Sequence, residues 1–559
     1  MHRRHTRNER RLPIEHGEPR KLLLPARRSR KPIDLSQNAE VTLVLRSRGP
    51  EEEWQALVAE LTNGLPRNRR YLTRAELARK WGTSPEDIDA VRKFVAAQRL
   101  EVVMADDARR CVVVSGTLER LERAFEVEFI AVDHPLGTFR SYRNTPNVPE
   151  TIHPRLECIL GLDDLPVART HAVPAAKGRS LDRQALLRAY SVPPRLRGKG
   201  QCVAVIELGG GFRPSDLKAF FGQFGLAPPR LRTRGVLGAK NHPAPPAMIR
   251  EFFGSLASSP NSRPPLNQSD TTWVAWTYET TADLEMLGAI APEVSILLVQ
   301  SFDNAQGKYH AVTSVVMDAK NAPSALSCSW GDMEQALSPS FMRAVDRWFQ
   351  AAAVLGMTVC CSSGDAGDGT LDPEAPQNRF TVQFPASSPN VLACGGTTLN
   401  MKTGAETTWN QKKWTQHMAS GGGFSGVFPM PQFQQAAGID ASDWIPKGVP
   451  SGNGRALPDV AGKANLEQNC SSLCAGIDIP MGGTSAAAPL WAAIVAIVNE
   501  GLNTRVGSLN ALLYDGSLSE GLRDIVTGNS GVFRACKGWD ACTGWGSPKA
   551  ETLLRLLRG

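Results

Sequence analysis

The sequence predicts an α/β fold, a parallel sheet covered by helices on both faces, standing behind a smaller α+β domain. Three observations carry this. The stretches QCVAVIELGGG (201–211), SILLVQSF (295–302), ALSCSWG (325–331), GMTVCCSSGD (356–365) and NVLACGG (390–396) are continuous apolar runs ending in small or polar residues, the pattern of strands buried on both faces. Between them, ETTADLEMLGAIA (279–291) and PSFMRAVDRWFQAAAVL (339–355) have helical periodicity, and strands alternating with helices build parallel sheets. Residues 38–165 have a different texture, with short strands and helices joined by polar turns.

Composition sets the bounds. At 559 residues with 42% apolar and 21% charged, the chain is long enough for several domains with sizeable cores, which excludes wholesale disorder. Its 50 Gly and 39 Pro lack a period, so it is loop-rich and not collagen-like. An uninterrupted apolar run near the roughly 18 residues that span a bilayer is missing, and no membrane association is expected. The net charge of +8 lies in residues 1–31, which hold 11 Lys/Arg against 3 Asp/Glu. Without interleaved aromatics this reads as a solvated, disordered basic arm (1–37), not a nucleic-acid grip. Leu22–Leu24 is too short for the apolar core of a secretion signal.

The α+β region follows in order. VTLVLR (41–46) is a strand. SPEDIDAVRKFVAAQRL (84–100) is a helix with Ser84 as its N-cap. EVVMADDARRCVVVSG (101–116) gives two strands around a polar turn, and TLERLERAFEVEF (117–129) a helix entering a strand, without the acid that would complete a capping box at Thr117. Residues 168–184 read as an exposed linker, and 243–272, rich in Pro, Ser and Asn, as a loop insertion. Of the eleven Cys, 202, 328, 360, 361 and 394 lie in apolar runs and read as small core residues. Cys470/Cys474 and Cys536/Cys542 are close enough in sequence to bridge in an oxidising compartment.

Chemistry concentrates in three segments. In Gly482-Gly483-Thr484-Ser485-Ala486-Ala487-Ala488-Pro489, Ser485 stands at the start of an apolar helix, where free N–H groups and the positive dipole end favour a nucleophile; the plainer reading is a helix cap. Pro489 falls in the first turn on this reading. A nucleophilic serine needs a base, and His242, His310 and His417 all read as surface residues, which disfavours an imidazole. Glu279 and Asp283 are four residues apart and share a helix face. If buried together they cannot both ionise easily, and a raised carboxyl pKa suits general-base work; the alternative is a solvated acidic face. Asp365, in Ser363-Gly364-Asp365 after an apolar strand, is either a turn residue or a neutral carboxyl that donates to an oxyanion, which implies activity at acidic pH.

Together these segments resemble the sedolisin family of serine-carboxyl peptidases. The resemblance rests on Ile206-Glu207-Leu208-Gly209-Gly210-Gly211, Glu279 with Asp283, Ser329-Trp330-Gly331, Ser363-Gly364-Asp365, Gly482-Gly483-Thr484-Ser485 and Gly538-Trp539-Asp540, in the family's order, and covers the chain from about Val41 onward. It implies a subtilisin-like peptidase domain (185–559), a ferredoxin-like pro-domain (38–167) that assists folding and blocks the cleft, and a cleavable linker (168–184) cut within 171–180. It also implies Ser485 as nucleophile, Glu279 as base, Asp283 as its tuner, Asp365 as oxyanion acid, and Glu207 and Trp330 extending the network. A structural Ca²⁺ is implied at Asp524, Ile525, Cys536, Gly538 and Asp540, with Cys536 standing where the family usually has Gly. The expected partners are polypeptide substrates and the chain's own pro-domain, with a monomeric enzyme exported as family members often are. Tripeptidyl release, or a catalytically silent binding homologue, are the other readings.

Overall fold

The computed structural model describes residues 10–14, 27–170, 180–258, 266–372, 379–413, 416–466 and 470–559. Its N-terminal region is built on β1 (Asn38–Leu45), α1 (Pro85–Ala97), β2 (Glu101–Asp106), β3 (Cys111–Thr117), α2 (Leu118–Phe125) and β4 (Leu156–Leu160). The sheet order is β2-β3-β1-β4, antiparallel throughout, which is the ferredoxin-like arrangement the resemblance implies. Ser84 accepts from Asp87 N at 3.0 Å to start α1, and Thr117 accepts from Arg120 N at 3.4 Å to start α2. A helix can thus be capped without the second half of a capping box. Val91, Phe94 and Phe125 close the core over Val41, Leu43, Val112 and Val114.

The described parts of the basic arm, 10–14 and 27–37, join this domain, and the rest of it lies outside the described residues. Arg11–Pro13 pairs antiparallel with Asn147–Pro149 and Arg27–Arg28 with the strand Glu128–His134, while Ile14 is buried in the core. Strands of two or three residues carry no period, so composition alone reads them as disorder. The linker expectation also needs correction at both ends. Arg169–Thr170 forms β5, Leu181 is buried, and Asp182 caps a helix over Arg183–Ala189. Residues 171–179, which hold most of the proposed cleavage window, lie outside the described residues.

The larger domain contains β6 (Cys202–Glu207), β7 (Arg230–Gly235), α3 (Gln268–Ile290), β8 (Ser295–Gln300), α4 (Ala305–Val316), β9 (Ala325–Cys328), β10 (Trp330–Met333), α5 (Pro339–Val354), β11 (Thr358–Ser362), β12 (Leu392–Leu399), β13 (Val460–Lys463) and α6 (Thr484–Leu502). The sheet runs β7-β8-β6-β9-β11-β12, all parallel. β12 also pairs parallel with β13 and antiparallel with Glu406–Thr408. Alternation along β6 divides the core: Val203 and Val205 pack with Leu284 of α3 and Ile494 of α6, Ala204 and Ile206 with Val312 of α4 and Phe349 of α5. Both faces are covered, which is why the strands read as unbroken apolar runs.

Three expectations change here. The segment 243–272 contains a helix, Pro246–Ser258. α6 is long and apolar enough to cross a bilayer, but Thr484 through Asn499 are all buried in the domain, so its apolarity serves the core. All eleven cysteines are unbridged thiols. Cys470 directly precedes the strand Ser471–Cys474, and residues four apart along extended chain stand about 13 Å apart, beyond the roughly 7 Å Cα limit of a disulfide.

Candidate active site

The functional side chains gather at the carboxyl ends of the parallel strands, where sites form in such sheets. Glu207 ends β6, Ser329 joins β9 to β10, and Asp365 follows β11 by three residues. Two helices complete the site: α3 carries Glu279 and Asp283, and α6 begins with Thr484 and Ser485. Gly483 enters α6 at φ +81°, a left-handed conformation that disfavours a side chain.

Ser485 is 4% exposed. Its hydroxyl donates to the Ser329 carbonyl at 3.0 Å. Pro489 sits in the second turn of α6, not the first, and has no N–H to give to the carbonyl four residues back. That carbonyl belongs to Ser485, and the Ser329 hydroxyl lies 3.2 Å from it. The same hydroxyl is 2.6 Å from Asp283 Oδ2. A hydroxyl holds one proton. Both contacts are satisfied together when Asp283 is protonated and donates to Ser329, which in turn donates to Ser485. Burial pushes the Asp283 pKa upward against the lowering effect of the Ser329 contact, in keeping with a protonated carboxyl.

Glu207, Glu279 and Asp283 form a buried acidic cluster. Burial raises Glu207 and Glu279 well above the usual carboxylate range, and the charge of Asp283 adds to both. The Ser485 hydroxyl lies close enough to Glu279 to offset part of its rise, yet it is donated to Ser329, leaving both Glu279 oxygens, and both of Glu207, without a hydrogen bond. No direct bond joins Glu279 to Asp283; their coupling is through charge. Trp330 donates its indole N–H to the Ile206 carbonyl at 2.8 Å, fixing the backbone that presents Glu207.

Asp365 lies beside the start of α6. Oδ1 accepts from both the backbone N–H and the hydroxyl of Thr484, each at 2.8 Å. Oδ2 is sealed from solvent and unpartnered. Burial raises this carboxyl to about 7, against the lowering effect of Thr484. Its proton therefore belongs on Oδ2, pointing away from the Thr484 donors.

The histidines stay out of this site. His242 stacks on Trp273 with ring centroids 4.7 Å apart, and His417 is exposed beside Asn410. His310 corrects the surface expectation: it is buried in α4, with Nε2 2.8 Å from Thr42 Oγ1 of β1. The N-terminal domain covers it, a burial that its local sequence does not encode.

The pro-segment reaches the cleft. β5 pairs antiparallel with β10, Arg169 opposite Gly331 and Thr170 opposite Trp330. The next residue of β9–β10 is Ser329, whose carbonyl holds the Ser485 hydroxyl.

A serine hydroxyl at a helix start, buried carboxyls where an imidazole usually stands, and a parallel sheet beneath them define a serine peptidase of subtilisin-like architecture. Residues 25–165 match the family described as Pro-kumamolisin, activation domain, and residues 267–521 match the Subtilase family. The chain is 35% identical to kumamolisin of Bacillus sp. (strain MN-32), over 94% of this chain and 93% of that protein. It is 26% identical to tripeptidyl-peptidase 1 of Canis lupus familiaris, over 94% and 92%. Among solved structures, Pseudomonas sedolisin, a serine-carboxyl proteinase complexed with pseudo-iodotyrostatin, matches with a TM-score of 0.53 and 25% identity, covering 68% of this chain and 99% of that one. The chain belongs to the sedolisin family, with a pro-kumamolisin activation domain.

The residues of the implied calcium site lie together near the C-terminus. Asp524 Oδ2 accepts from Gly538 N at 2.9 Å, and Asp540 Oδ2 from Cys536 N at 3.2 Å. Burial raises the Cys536 thiol, and the charges of Asp540 and Asp524 add to it. Asp540 is buried, and among the described residues neither Asp has a basic partner. Two carboxylates without a counter-charge fit a hard cation, and both Asp540 oxygens also accept from Cys536, Cys542 and Thr543.

Sequence reasoning missed two supports. Thr484 anchors Asp365, and the Ser329 hydroxyl links Asp283 to Ser485. Both stand in motifs read from the sequence, but their bonds depend on partners more than 40 residues distant.

Proposed function

We propose that the chain is the zymogen of an acid-acting serine-carboxyl endopeptidase. Glu279 lies near the Ser485 hydroxyl with its proton affinity raised by burial, and in its ionised form it takes the Ser485 proton as the oxygen attacks a peptide carbonyl. Asp283, protonated, steadies the nucleophile's backbone through Ser329, and it tunes Glu279 because the two buried carboxyls cannot both ionise easily. Asp365, neutral, donates from Oδ2 to the oxyanion. Glu279 returns its proton to the leaving amine, and water then deacylates Ser485. Glu207 and Trp330 keep the acid cluster in place. The observation that carries the reading is the free, buried Oδ2 of Asp365 beside the start of α6, a donor only while protonated.

The pro-domain's β5 strand supports blockage of the cleft by the chain itself, with scission within 171–180. Calcium, held by the carboxylates of Asp524 and Asp540 and the carbonyls of Ile525, Cys536 and Gly538, would supply the positive charge that stabilises the C-terminal loop. Incubation with a denatured protein at pH 3–5, beside Ser485→Ala, tests the reading. Wild type processes itself and the substrate, while the variant loses about 10⁶-fold in turnover. Equal cleavage by the variant removes Ser485 from the mechanism.

A further inference from the structure

Just upstream of β5, the residue Val167 is gripped at both of its backbone polar groups by the peptidase domain. Its N–H donates to Asp303 Oδ1 at 3.0 Å, and its carbonyl accepts from the Lys308 ammonium. Lys308 is 1% exposed and lies over the Trp330 ring, 4.7 Å from its centroid. The cation–π contact holds the ammonium in place without using its N–H donors, so the grip persists as a preformed feature of the peptidase. Val167 and Ala168 are buried in the same apolar cluster as Ile206, Leu208 and Trp330. The contacts to Asp303 and Lys308 read backbone, and the apolar surround accepts a small aliphatic side chain.

Register fixes where this lies along a substrate. Thr170 stands opposite Trp330, so a chain continuing that register puts its next residue opposite Ser329, beside the nucleophile. Val167 is four residues before that position. We infer that Asp303 and Lys308 form a remote subsite that clamps the backbone of the fifth substrate residue on the N-terminal side of the scissile bond, and that this makes the enzyme an endopeptidase selective for extended chains. The inference rests on the peptidase reading above. A cleft that gains binding energy from a fifth residue favours chains that a tripeptide-releasing enzyme would leave unread beyond the third.

The test is a series of N-acetylated quenched fluorogenic peptides with three to seven residues before a fixed scissile bond, beside a free-amine peptide with three, given to the full chain after acid activation. The expected result is a step in kcat/KM of at least about tenfold on adding the fifth residue, the order expected for two backbone bonds, both to charged side chains. Asp303→Asn and Lys308→Met, the latter keeping the stem that packs on Trp330, each reduce the ratio of long- to short-peptide kcat/KM to about twofold. If Lys308→Met shows no cooperative melting transition, Asp303→Asn decides alone. Equal kcat/KM at all lengths, an undiminished step in the variants, or best cleavage of peptides with a free amine three residues from the bond overturns the clamp. Failure to cleave any peptide, with wild type and Ser485→Ala alike, overturns the peptidase reading instead.

Discussion

Substituting Asp365 separates a neutral donor from a charged one. In the structure Oδ1 is committed to Thr484 and Oδ2 is free, and the carboxyl is held at about 7. Only the protonated form donates to an oxyanion, so this group leaves activity full at pH 5 and reduces it to roughly a tenth at pH 8, falling about tenfold per further unit. Asp365→Ala removes the donor and lowers turnover by about 10²–10³-fold. Asp365→Asn places a carbonyl oxygen where Oδ1 meets Thr484 and an N–H where Oδ2 points. It therefore loses less than Ala, and its alkaline limb near pH 7 disappears because an amide does not titrate. The assay is kcat on one fluorogenic peptide from pH 3 to 9 with activated enzyme. An alkaline limb that persists at the same midpoint in Asp365→Asn, or wild-type turnover in Asp365→Ala, refutes the donor role. The same raised pKa makes a stability statement. A carboxyl whose folded pKa exceeds its unfolded value of 3.8 contributes stability that is fully present below pH 3.8 and lost as pH rises toward 7.

Other predictions follow from neighbouring contacts. Pro489→Ala restores an N–H for the Ser485 carbonyl and displaces the Ser329 hydroxyl; Tm rises while kcat falls about fivefold, the worth of one hydrogen bond, and an unchanged kcat shows the Ser329 contact to be idle. Asp283→Asn keeps a neutral donor toward Ser329 and retains most activity at acidic pH, whereas Asp283→Ala strands that hydroxyl and costs about 1–3 kcal/mol in thermal or denaturant melts; an Asn variant as impaired as Ala shows that Asp283 works ionised. Chelation with EDTA lowers Tm and added calcium restores it, by up to about 4 kcal/mol at a thousandfold excess over Kd, and Asp540→Ala abolishes the response; a Tm indifferent to both rules out the ion.

The sequence disclosed the sheet because each strand buried on both faces must be apolar along its length, and β6, β8, β9, β11 and β12 obey that rule; the edge strand β7, RLRTRG, is largely exposed and shows no such run. Ser485, Glu279, Asp283 and Asp365 were legible because each stands at a strand end, a helix start or a four-residue spacing that one segment displays by itself. What stayed hidden depends on distant partners. The relay from Asp283 through Ser329 joins two elements 46 residues apart. His310 reads as a surface residue until β1 of the other domain covers it. The paired arm segments and β5 are too short for a period, and the helix Pro246–Ser258 is masked by the Pro, Ser and Asn around it.

The seating of β5 beside β10 has a kinetic corollary. Because the blocking strand and the nucleophile share one unbroken chain, occupancy of the cleft depends on tether length and not on how much protein is present; a short tether holds its strand at an effective millimolar level. Once the backbone is severed, the same segment becomes a diffusible competitor whose hold weakens on dilution. Dilute and concentrated samples should therefore share one latency before the break, and part company only after it.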